Sequence, residues 1–124
     1  MTNDLKKLIK SELNMDRVKE VYYQLADDEA LYPHIVFDLH QINLLADDNN
    51  RRDYRIVIDV WDKGTSTTVV DDIADAIDKR FNALNAPQDA ILPTFYIESN
   101  YSVLDEDKNI KHRQLKIIAQ NYER

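Results

Sequence analysis

Arg55-Ile-Val-Ile-Asp-Val-Trp-Asp-Lys63, followed at once by Ser66-Thr-Thr-Val-Val-Asp71, is the stretch on which the fold of this chain turns. Ile56, Ile58 and Val60 alternate with Arg55, Val57, Asp59 and Trp61, the period of two that marks a strand with two different faces. After a short polar turn the spacing changes to three and four. Val69, Val70, Ile73, Ala76, Ile77, Phe81 and Leu84 then line one side of a helix predicted over 67–84. A Ser or Thr at positions 66 to 68 can accept a hydrogen bond from the first-turn amides, and Asp71 and Asp72 stand where the helix dipole favours negative charge. Asn85-Ala-Pro87 stops the helix, and at ~1.5 Å per residue it reaches about 27 Å, enough to cross several strands.

Working outward, Leu5, Leu8, Ile9 and Leu13 predict a short amphipathic helix over 3–13. Residues 18–25 alternate Val21, Tyr23 and Leu25 against Glu20, Tyr22 and Gln24, a first strand, and Asp27-Asp-Glu29 marks a loop. Tyr32-Pro33 opens a second strand with Ile35, Phe37 and Leu39 on one face and Val36, Asp38 and His40 on the other; its parity switches after Gln41, at a bulge or at the strand's end. The polar run Asp47 to Asp53 reads as a hairpin loop leading into a third strand, Tyr54 to Asp62. Two further strands, around Phe95 to Val103 and Gln114 to Ala119, flank the charged turn Asp105-Glu-Asp-Lys-Asn109 and pair as a hairpin. The expected architecture is a single α+β domain over 1–124: a mostly antiparallel sheet of about five strands packed against one long helix, with a short N-terminal helix.

Composition narrows the function. The chain has 124 residues, a net charge of −7 and no cysteine. One core is expected, without disulfides or Cys-based metal sites, as suits a reducing cytoplasm. No apolar run spans a bilayer and the first residues lack a signal-peptide stretch, so a soluble protein that stays where it is made is expected. Holding DNA tightly takes a basic footprint, and no Lys/Arg cluster here is larger than Arg51-Arg52 or Lys6-Lys7. With Gly64 as the sole glycine, phosphate-cradling glycine loops are excluded.

Candidate catalytic and metal groups weigh little. His34 and His40 share a strand face but stand six apart, whereas a two-histidine metal site on a strand wants them about two apart. The pairs Asp27-Asp28, Asp47-Asp48 and Asp71-Asp72 lack the alternating spacing of a calcium loop. Asp59, Asp62 and Lys63 resemble the carboxylates and lysine of a metal-dependent nuclease, but alternation sends Asp59 and Asp62 to opposite faces. No catalytic residue, metal or cofactor is expected. Trp61 and Val57, opposite the expected core face, need a cover: the N-terminal helix is the first expectation, a neighbouring subunit the second.

Tyr32-Pro-His-Ile-Val-Phe37, the polar loop, Arg55 to Lys63, the helix from Ser66 to Phe81 and the terminal hairpin ending His112-Arg-Gln-Leu-Lys-Ile117 together resemble the tail completion or tail terminator family of long-tailed bacteriophages and prophages, over about residues 15 to 120. The resemblance implies a virion protein, assembled in the host cytoplasm, that forms a ring, typically hexameric, on the head-proximal end of the tail tube. That ring ends tube growth and offers the surface for joining to the head. Its implied partners are further copies of itself, the tail tube protein and the head–tail connector, with DNA only as passing cargo. A head–tail connector or stopper and a monomeric adaptor domain are the other classes open to such a chain. The loops and the uncovered strand face are the candidate contact surfaces: Asp47, Asp48, Asn49, Asn50, Arg51 and Arg52 in the first loop, Val57 and Trp61 on the strand, and Asp105, Glu106 and Asp107 in the second loop.

Overall fold

The central strand of the molecule is paired along its whole length on one side and most of it on the other, and everything else is arranged on that frame. The computed structural model describes residues 2–42, 51–84 and 94–122. The elements run α1 (Thr2–Leu13), β1 (Glu20–Tyr23), β2 (His34–Ile42), β3 (Arg51–Lys63), α2 (Thr68–Ala83), β4 (Thr94–Val103) and β5 (Ile110–Tyr122). They form one five-stranded sheet in the order β1-β2-β3-β5-β4.

The sheet is mixed, with two helices of 12 and 16 residues on it, which corrects the expectation of a mostly antiparallel sheet under one long helix. β1 runs parallel to β2, Glu20 opposite His34 and Tyr23 opposite Phe37. Residues 24–33 separate them, more than a hairpin turn uses, so the chain travels back along β1 before β2 begins. Alternating hydrophobicity reports which face a residue takes and is silent on strand direction. Gln24 ends β1 with φ of 68°, in the left-handed region, which throws Leu25 off the expected inner face and leaves it 82% exposed.

Both helices lie on the same side of the sheet. Leu5, Ile9 and Leu13 of α1 and Val70, Ile73, Ala74, Ile77 and Phe81 of α2 share one core with Ile35, Phe37, Ile56, Ile58, Leu115 and Ile117. Phe81 meets Phe95 edge to face with ring centroids 5.1 Å apart, an arrangement worth about 0.5–1.5 kcal/mol beyond area burial. At the start of α2, Ser66 Oγ accepts from the Thr68 amide at 3.1 Å, while Thr67, the N-cap, donates its hydroxyl to Asp71 at 3.0 Å and makes no side-chain cap of its own. β3 begins at Arg51 rather than Tyr54, because β5 continues to Tyr122 and supplies partners for Arg51, Arg52 and Asp53. Asp53, expected in a solvated loop, is 3% exposed.

Candidate functional site

With α1 and α2 both on one side, the other face of the sheet carries no helix among the described residues, and α1 does not cover Trp61. The register builds this open face row by row. Glu20, His34, Trp61, His112 and Val103 are mutually aligned across all five strands. The next row holds Tyr22, Val36, Asp59, Gln114 and Tyr101.

A polar and aromatic network ties these rows together. Trp61 stacks on His112, ring centroids 3.7 Å apart and planes 13° apart. His112 Nε2 donates to Asp59 Oδ1 at 2.6 Å, and the same oxygen accepts from Gln114 Nε2 at 2.9 Å. Gln114 Oε1 in turn accepts from the Tyr101 hydroxyl. Further along, Arg55 holds Glu98 through Nε and Nη2 at 2.9 and 3.3 Å. Ile118, in register with Arg55 and Tyr96, is buried on this face. His34 is buried too, between Tyr22 and Tyr32, with Nδ1 donating to the Leu31 carbonyl at 3.2 Å; desolvation holds its imidazole below the usual histidine value. Asp59 is thus engaged by a histidine and an amide of the neighbouring strand, the geometry of a cross-strand fastener rather than of an open ligand. Among the described residues no group of three or more His, Asp or Glu could hold a metal ion.

A second feature lies at one edge. α1 and β1 enclose a groove of about 560 Å³ lined by Lys7, Lys10, Ser11, Asn14, Lys19, Glu20 and Val21. It adjoins a hollow of about 400 Å³ lined by Asn3, Lys6, Lys7, Lys10 and Tyr23. Lys6 Nζ sits 4.2 Å above the Tyr23 ring, a cation–π contact that anchors the side chain. Lys6-Lys7 is by itself a basic run of two. Lys10, one turn further on the same helix face, was legible from spacing; Lys19 joins only through the fold.

The candidate contact residues are spread apart by the structure. Val57 and Trp61 share the open face of β3, both partly exposed. Arg51 and Arg52 begin β3 opposite Tyr122 and Asn121, at the end of the sheet away from Trp61. Asp105, Glu106 and Asp107, all exposed, form the β4–β5 turn, where Asp105 and Asp107 each accept a backbone amide two residues on at 2.9 Å. Since Lys63 pairs with Ile110 and Arg51 with Tyr122, that turn and the β2–β3 connection leave opposite ends of the sheet. Asp47, Asp48, Asn49 and Asn50 lie outside the described residues.

No protein-family model and no curated protein matches the chain. A chain in the virion of a native gene transfer agent particle is similar to it, with a TM-score of 0.61 and 14% identity, over 92% of this chain and 84% of that one; at such identity the likeness is one of fold.

Proposed function

We propose that this chain is a structural protein of a phage-like virion, and within that class a tail terminator: a ring of copies, six in number, that caps the head-proximal end of the tail tube, ends tube polymerisation and presents the surface for head joining. The observation that carries the reading is the likeness of fold, over 92% of this chain, to a chain of a gene transfer agent virion. The resemblance of the Tyr32–Phe37 and Arg55–Phe81 stretches to tail terminators points the same way. A net charge of −7 suits a protein past which DNA must slide without being gripped. Arg51 and Arg52 at the start of β3 and the Asp105–Asp107 turn, at opposite ends of the sheet, suit contacts on two different levels of a stacked assembly, and the Val57–Trp61 face offers a third surface. The role needs no catalytic group, metal or cofactor.

The test is a tube-capping experiment. Purified chain carrying a gold label is mixed with tail tubes from the particle whose genome encodes it, and electron microscopy counts labels per tube. Label confined to one end, with tubes failing to elongate when fresh tube protein is added, supports the terminator. Label on head connectors but never on tubes would place the chain among the connectors or stoppers instead.

A further inference from the structure

The groove between α1 and β1 gathers Lys6, Lys7, Lys10 and Lys19 in a chain whose net charge is −7. Val21 in the groove and Tyr23 in the adjoining hollow give it apolar surface, to which the stems of the lysines add. Such a site fits an apolar side chain followed by carboxylates. The chain itself carries that segment. Leu104 is 97% exposed and leads directly into Asp105, Glu106 and Asp107, with the turn held in shape by its own two aspartate-to-amide bonds. We propose, resting on the ring reading above, that the α1–β1 groove of one copy receives the β4–β5 turn of a second copy, Leu104 against Val21 and the acidic triplet against the lysines.

Two facts of the topology support a second copy as the occupant. β1 and β4 are the opposite edges of the sheet, so groove and turn face away from each other and one copy cannot fill its own site. The Lys19 end of the groove also stands at the same level along the strands as Leu104. The row Glu20, His34, Trp61, His112, Val103 crosses the whole sheet, with Lys19 one residue before its first member and Leu104 one residue after its last. A contact between unlike surfaces closes into a ring only if successive copies are not displaced along the axis, and a lateral contact made at equal height meets that condition. Glu20 is the acid within the groove, and Lys108 and Lys111 flank the turn, so both surfaces keep a counter-charge that limits wrong registers.

The test is charge reversal with reciprocal rescue. Lys10→Glu alters the groove, and Glu106→Lys alters the turn while sparing the hydrogen bonds of Asp105 and Asp107. Self-association is followed by analytical ultracentrifugation, alone and on tail tubes. Each variant is expected to weaken association at least about tenfold, and an equimolar mixture to restore it, since positions 10 and 106 can then carry opposite charges at every contact. Because the chain has no cysteine, Lys10→Cys combined with Glu106→Cys should give, on oxidation, a disulfide-linked ladder that stops at one closed number. Association of the parent chain that neither reversal disturbs would overturn the contact and leave the terminator reading standing. Absence of self-association in every setting would overturn both. Loss with Lys10→Glu alone, unrescued by mixing, would show that the groove serves another protein.

Discussion

The indole of Trp61 lies flat on the imidazole of His112, 3.7 Å between centroids, on the face of the sheet that neither helix reaches. Their strands pair at this very position, so the stack is a cross-strand contact between residues far apart in sequence. A double-mutant cycle with Trp61→Ala and His112→Ala should give a coupling of about 0.5–1.5 kcal/mol in urea unfolding. Strict additivity of the two substitutions would mean that the rings are neighbours without being partners.

Asp59 is expected to act as a fastener and not as a ligand. Asp59→Ala leaves His112 Nε2 and Gln114 Nε2 without their shared acceptor and should cost about 1–3 kcal/mol of stability. The parent chain should show no duplex binding in gel shifts at physiological salt, and no nicking with magnesium or manganese. Nicking that disappears in the Asp59→Ala variant would reverse this assignment.

His34 sets a pH dependence whose sign follows from burial. Desolvation lowers its folded pKa from the ordinary 6.5, with the Leu31 carbonyl offsetting part of the shift. The unfolded chain therefore takes up a proton that the folded chain resists. Stability from this group is fully present above about pH 6.5 and declines as the pH falls from there towards the depressed folded value. The loss in Tm between about pH 7.5 and about 5.5 should be smaller in His34→Gln than in the parent. Equal losses in both would remove His34 as the cause.

Ile9 and Leu25 make a matched pair for testing where the core ends. Ile9 is fully buried and Leu25 is 82% exposed. Ile9→Ala should lower unfolding free energy by about 2–5 kcal/mol. Leu25→Ala should stay within about 0.5 kcal/mol. An Ile9→Ala variant as stable as the parent would mean that α1 is an appendage and not part of the core.

How far the sequence could be read follows from what each pattern encodes. The faces of β2, β3 and β5 were legible because Ile35, Phe37, Ile56, Ile58, Leu115 and Ile117 alternate strictly, and burial on one side is what alternation records. α2 was legible from its three-and-four spacing. Strand direction was not, so β1 passed as one more antiparallel strand when it is parallel to β2. Nor was the side on which α1 sits: an amphipathic helix announces that it has an apolar stripe, not which sheet face receives it. The His112–Asp59 bond spans 53 positions, and Lys19 joins Lys6, Lys7 and Lys10 only because β1 packs beside α1; neither leaves a local signature. The candidate contacts came from two polar loops and the Val57–Trp61 strand face, where composition and alternation are visible, whereas a groove made by two regular elements has no local signature.

The two outer strands are poor templates for further backbone pairing. β1 offers only four residues, and the register of β4 breaks between Ile97 and Ser99. A protein that accumulates in many copies before it is needed runs the risk of zipping up strand to strand into fibres, and blunt edges remove that route. In the proposed ring, encounters between copies would be left to side chains, whose charges dissociate readily and respond to salt. Free subunits of that proposed ring would then form a reserve drawn on reversibly, each mistaken encounter undone before it hardens into aggregate.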